Sequence, residues 1–235
     1  MSDLIATAPT FGRIPTETIA VIGEHIVKEM RAEHGDKVAS DRWWSITQTC
    51  RRWRDVLCDS AALWTNVTIK GIDYLQEMLV RSKKLPLTIH GSLCSDDDQT
   101  NCKKLRLIMS HSSRIRSLCI TVSPGALKDL TEVPHISEMN KLEALDITQI
   151  PIETLEDGMP NTDILSRFQS PVLRSLRLTH FQFDDVQPLL CSTLTTLTLT
   201  GPGSASPSEM AQVLQGMPDL ESLNLLLNFS PSDAV

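Results

Sequence analysis

Leu173-Arg174-Ser175-Leu176-Arg177-Leu178-Thr179 and Leu194-Thr195-Thr196-Leu197-Thr198-Leu199-Thr200 are two copies of one phrase that occurs five times in the second half of the chain. The others are Ile115-Arg116-Ser117-Leu118-Cys119-Ile120-Thr121, Leu142-Glu143-Ala144-Leu145-Asp146-Ile147-Thr148 and Leu220-Glu221-Ser222-Leu223-Asn224-Leu225-Leu226. Their starts fall roughly 21 to 31 residues apart. That period holds one strand and one return segment, so the chain reads as a stack of similar units rather than a closed globule.

Places one, four and six of the phrase are leucine or isoleucine, which points them into a core while places three, five and seven face outward. Val67-Thr68-Ile69 and Leu85-Pro86-Leu87-Thr88-Ile89 read as two weaker strands ahead of the five. Seven parallel strands in one sheet are therefore expected. Helix signals fall between strands, at Asp73 to Lys83 and at Asp96 to Ser110. Ser206-Pro207-Ser208-Glu209 has the form of a capping box opening a helix through Val213 and Leu214. Pro124-Gly125, Pro160 and Gly201-Pro202-Gly203 mark turns. The expected fold class is α/β, and the repeat length is that of a leucine-rich-repeat solenoid with irregular curvature. The last phrase ends nine residues before Val235 with no polar capping repeat. The rear, residues 65–235, is thus expected either to be truncated or to have Leu226, Leu227 and Phe229 covered.

The outward places give a small, hydroxyl-rich concave surface with single charges at Asp146 and Arg177. Candidate target-binding residues on it are Thr121, Asp146, Thr148, Arg177, Thr179, Thr198 and Asn224, whose side chains suit hydrogen-bonded recognition of a protein or peptide. The plainer reading of the threonines is that β-branched residues favour exposed strand positions.

The front of the chain is built differently. After a tail at residues 1–12, expected to be flexible, Arg13-Ile14-Pro15-Thr16-Glu17 starts a helix, with Pro in the first turn and an acid near the positive end of the dipole. Ile19, Ile22, Ile26, Val27 and Met30 give it one apolar face, and it should stop before Gly35. Trp43-Trp44-Ser45-Ile46 and Thr49-Cys50-Arg51-Arg52-Trp53-Arg54-Asp55-Val56-Leu57 again carry apolar residues at helical spacing, and Leu63-Trp64 leads into the first strand.

Ile14-Pro15-Thr16-Glu17, Ile19, Ile22, Cys50-Arg51-Arg52-Trp53-Arg54-Asp55-Val56 and Leu63-Trp64 together resemble an F-box, in particular the F-box proteins abundant in mushroom-forming fungi, where leucine-rich repeats follow directly. Residues 13–64 would be the F-box. The resemblance implies docking on a SKP-type adaptor, and through it on a cullin and a RING ubiquitin ligase. Carried over, it implies adaptor contacts at Ile14, Pro15, Ile19, Ile22, Cys50, Arg51 and Trp53. Thr18, Val21 and Gly23 depart from the pattern, and a polar stretch from Arg31 to Asp41 separates its halves. The chain then reads as the substrate-recognition subunit of a SKP-cullin-F-box ubiquitin ligase, or alternatively as a repeat scaffold whose degenerate F-box has no ligase role.

Other classes find little support. The formal charge of −7 lies entirely behind residue 70, since residues 1–70 hold nine basic and nine acidic residues. That opposes a nucleic-acid partner for the repeats and for Arg51-Arg52-Trp53-Arg54. Six cysteines without a CxxC pair point to free thiols in a reducing compartment, and no apolar run is long enough to span a bilayer. These features suggest a cytoplasmic or nuclear protein without a membrane partner. No HExxH, GxSxG or Walker motif occurs, so neither a catalytic residue nor a cofactor is expected. Asp96-Asp97-Asp98 reads as a helix start rather than a metal site.

Overall fold

A computed structural model describes residues 14–34, 42–94, 97–123, 125–127, 139–150 and 163–229. The N-terminal tail, Pro124 and Pro160 lie outside them. Helix α1 (Thr16–His34) opens with Glu17 in its first turn, and Ile19 N–H donates to the Pro15 carbonyl at 3.1 Å. Ile19 and Val27 are buried along one stripe, flanked by half-buried Ile22, Ile26 and Met30. A 3-10 segment (Arg42–Gln48) follows, then α2 (Arg51–Asp59), which buries Leu57. A second 3-10 turn (Ala61–Trp64) carries the chain to β1 (Asn66–Ile69). Trp64 is fully buried there, its Nε1 donating to the Leu57 carbonyl at 3.1 Å and the Arg81 guanidinium lying 4.5 Å from its ring centre.

Among the described residues beyond β1, strands and return segments follow in the order α3 (Ile72–Arg81), β2 (Leu87–Leu93), α4 (Asp98–Met109), β3 (Ile115–Val122), β4 (Ala144–Gln149), α5 (Asp163–Ser166), β5 (Ser175–Thr179), α6 (Phe183–Val186), β6 (Thr196–Ala205), α7 (Pro207–Gln215) and β7 (Ser222–Phe229). The seven described strands form one sheet in sequence order, and every pairing among them is parallel. The arrangement is α/β and compatible with an α/β solenoid. Register stacks the phrase on itself: Leu118, Leu145, Leu176 and Leu197 align across neighbours, as do Ile120, Ile147, Leu178 and Leu199. All eight are buried in a core that runs from Ile19 to Met217. Each such side chain contributes about 1.5–3 kcal/mol by leaving water.

Local chemistry places the returns. Asp97 caps α4 by accepting from Thr100 N–H at 2.9 Å, so Asp97-Asp98 is a helix start, while Asp96 lies outside the described residues. Ser206 and Glu209 form the reciprocal capping box of α7. Arg114 is buried and donates to the carbonyls of Leu79 at 2.7 Å and of Lys83, which places a cation among the orphan acceptors at the end of α3.

Several expectations shift. The second strand begins at Leu87 instead of Leu85 and runs on to Leu93. Pro86 has no N–H to give the ladder and Lys83 sits at φ 51°, so the chain is still turning there. Gly201-Pro202-Gly203 is not a turn but lies inside β6, where a register shift between Thr200 and Ser204 absorbs the proline. Gly201 is needed because a Cβ would sit 2.8 Å from the Phe181 carbonyl oxygen. The Trp43–Leu57 region breaks at Thr49-Cys50 into a 3-10 piece and α2.

Candidate functional site

The front surface is set by α1 and α2, which cross closely because Gly23 has no side chain. A Cβ there would lie 2.3 Å from Leu57 Cδ2. The departure at Gly23 therefore has a packing cause. Arg52 Nη2 donates to the Ile14 carbonyl, which brings the two halves of the motif together at the entry to α1. Around this bond Ile14 is half-buried against the core and Pro15 is exposed. Cys50 is exposed at the N-cap of α2, and Trp53 is half-buried against the core. Arg51 is exposed and pairs with exposed Asp55 at 3.9 Å, a contact too solvated to contribute much.

Ile19 departs from the set. It is fully buried, so its side chain holds α1 in place from within and presents no surface to a partner. Ile22, one turn on, is half-buried. Arg52 was absent from the expected contacts, although its place beside Arg51 in the same motif half was the available signal. A groove between the helices is lined by Thr16, Glu17, Ala20, Asp55, Val56 and Asp59, giving the surface an acidic rim.

The second surface is the sheet face opposite the core. One row runs Thr68, His90, Cys119, Asp146, Arg177, Thr198, Asn224 across all seven strands, and a neighbouring row runs Ser92, Thr121, Thr148, Thr179, Thr200, Leu226. All seven expected target-binding residues fall on these two rows, half-buried or exposed. The rows differ from expectation in two respects. Asp146 and Arg177 are not single charges, because register sets them side by side with Arg177 Nη1 3.5 Å from Asp146 Oδ2. Both stand at place five of consecutive phrases, a coincidence that in-phase stacking turns into contact. At the front of the sheet Thr68 and His90 are buried, with Thr68 Oγ1 3.0 Å from His90 Nε2, so the accessible part of the row begins at β3.

What remains accessible is a ladder of hydroxyls with one ion pair at its centre. It can donate and accept hydrogen bonds along an extended partner. Among the described residues no cluster of side chains could hold a metal ion, and no helix is long and apolar enough to cross a membrane. All six cysteines are free. No known protein-family model matches the chain, and no curated protein matches it significantly.

Proposed function

We propose that the chain is the substrate-recognition subunit of a SKP-cullin-F-box ubiquitin ligase, a cytoplasmic or nuclear protein whose front helices dock on the adaptor and whose repeats hold the target. The observation that carries this reading is the Arg52–Ile14 bond, which joins Ile14-Pro15 to Cys50-Arg51-Arg52-Trp53 in one patch with Pro15, Cys50 and Arg51 exposed. The hydroxyl rows at Thr121, Thr148, Thr179 and Thr198, with the Asp146–Arg177 pair, support target capture by hydrogen bonding. The chain itself performs no bond chemistry in this scheme. It raises the effective concentration of a target lysine beside a charged conjugating enzyme.

Co-expression with a SKP-type adaptor and size-exclusion chromatography test it, beside a Pro15→Ala/Arg51→Glu variant. Both side chains are exposed, so the variant keeps its fold. Co-elution of the wild type, lost in the variant, is the expected result. A wild type that stays folded and never co-elutes overturns the adaptor role. The burial of Ile19 favours a second reading, a leucine-rich-repeat scaffold with no ligase role, and that outcome would select it.

A further inference from the structure

The sheet face opposite the core is a floor of short side chains with one long one standing on it. Arg177, in the middle of β5, has Ser175 and Thr179 beside it along the strand, Asp146 across on β4 and Thr198 across on β6. The four diagonal places hold one alanine and three threonines. All eight neighbours are half-buried, whereas Arg177 is exposed. None of them is long enough to cover the guanidinium, and Asp146 alone among them carries an opposite charge. That pairing is partial, since it consists of Arg177 Nη1 lying 3.5 Å from Asp146 Oδ2. A guanidinium has five N–H donors, and those of Arg177 make no hydrogen bond with any described residue.

Resting on the target-capture reading above, we infer that Arg177 takes the carboxylate of an aspartate or glutamate in an extended target segment, with Asp146 as the residue that positions the guanidinium. A planar guanidinium meets a carboxylate through two parallel N–H···O bonds, a geometry that the surrounding hydroxyls do not offer. Asp146 restrains the long side chain beforehand, so less rotamer freedom is lost when the segment binds. The neighbouring hydroxyls can donate to the remaining lone pairs of the carboxylate or to carbonyls of the segment. Charge decides which ion fits. Arg177 is the one permanent cation at places three, five and seven of the phrases on β3 to β6. A phosphate, carrying about −1.5 to −2 near neutral pH, would set its second charge beside Asp146 with no second cation to balance it. A basic side chain fits no better. The carboxylate it would seek is 29% exposed, against 59% for the guanidinium beside it, so Arg177 repels a cation before Asp146 can hold it.

The test offers the full chain, immobilised, four pools of short peptides randomised around a fixed central Asp, Asn, Lys or phosphoserine, and quantifies what is retained by mass spectrometry. The Asp pool should be retained about tenfold or more over the Asn pool. Arg177→Gln should abolish that difference with unchanged circular dichroism, because the side chain is exposed. Asp146→Asn should narrow the gap between the Asp and phosphoserine pools, a change of selectivity that a merely structural role would not produce. Thr198→Trp lays an indole over the floor beside Arg177 and should block retention of every pool, which separates this proposal from the reading it rests on. Retention that Thr198→Trp blocks but that shows no Asp preference, or favours phosphoserine or Lys, overturns the carboxylate assignment and leaves target capture on this face standing. Retention indifferent to Thr198→Trp, or no retention of any pool by the wild type, overturns both.

Discussion

Gly201 and Gly23 both permit a close approach, yet they predict different costs. At Gly201 the obstacle to a Cβ is the Phe181 carbonyl oxygen at 2.8 Å, a backbone atom that cannot rotate aside. Gly201→Ala should lose about 1–3 kcal/mol of unfolding free energy in a urea titration. At Gly23 the obstacle is the tip of Leu57, a side chain that can change rotamer, and alanine gains about 1 kcal/mol of helix propensity. Gly23→Ala should therefore be close to neutral in the same measurement. Asp185 makes a third residue-scale case. It is buried, and burial first, then the neighbouring Asp184 charge, raises its carboxyl pKa, against a Gln182 backbone hydrogen bond that lowers it. A carboxyl raised on folding favours the folded state below its unfolded pKa of about 3.9 and loses that contribution as pH rises through the folded value. Asp185→Asn, which keeps an acceptor for Gln182, should thus stabilise the protein relative to wild type near neutral pH and lose that advantage at about pH 3. Denaturant melts at the two pH values check the sign.

Elements were legible in the sequence where their signals are local. The capping box of α7 needs only Ser206 and Glu209, three residues apart, and it formed as read. Ser206→Ala should cost about 1 kcal/mol and fray α7 first, visible as faster amide exchange at Glu209 and Met210. The same locality explains the parallel strands, since five leucine phrases carry their own alternation. Contacts made by long reach were not legible. Arg114 finishes α3 from 35 residues away, and nothing beside it in sequence announces that partner. Gly201-Pro202-Gly203 has the composition of a turn, but Phe181 packs so close that the glycine serves a strand instead. At the front, spacing identified the apolar face of α1 correctly but could not tell Ile19, which is fully buried, from Ile22, which is half-buried. That difference depends on how α2 is docked, and the sequence carries no local record of it.

Across the whole molecule the strands follow chain order, so stability is a sum over neighbours and depends on how deeply each strand is covered. Leu176→Ala in the middle of the stack should cost about 2–5 kcal/mol, as full burial dictates, and Leu223→Ala in the same row less than half of that. Chemical denaturation of the two variants reads the gradient directly. The order of the strands has one more consequence, for a chain emerging from a ribosome. Each of β2 to β7 meets its partner in the strand made just before it, so pairing requires no segment still to be synthesised. Assembly can keep pace with translation from the Trp64 end onward. The newest strand is always the temporary edge, and each of β1 to β6 gives up that exposure when its successor pairs with it.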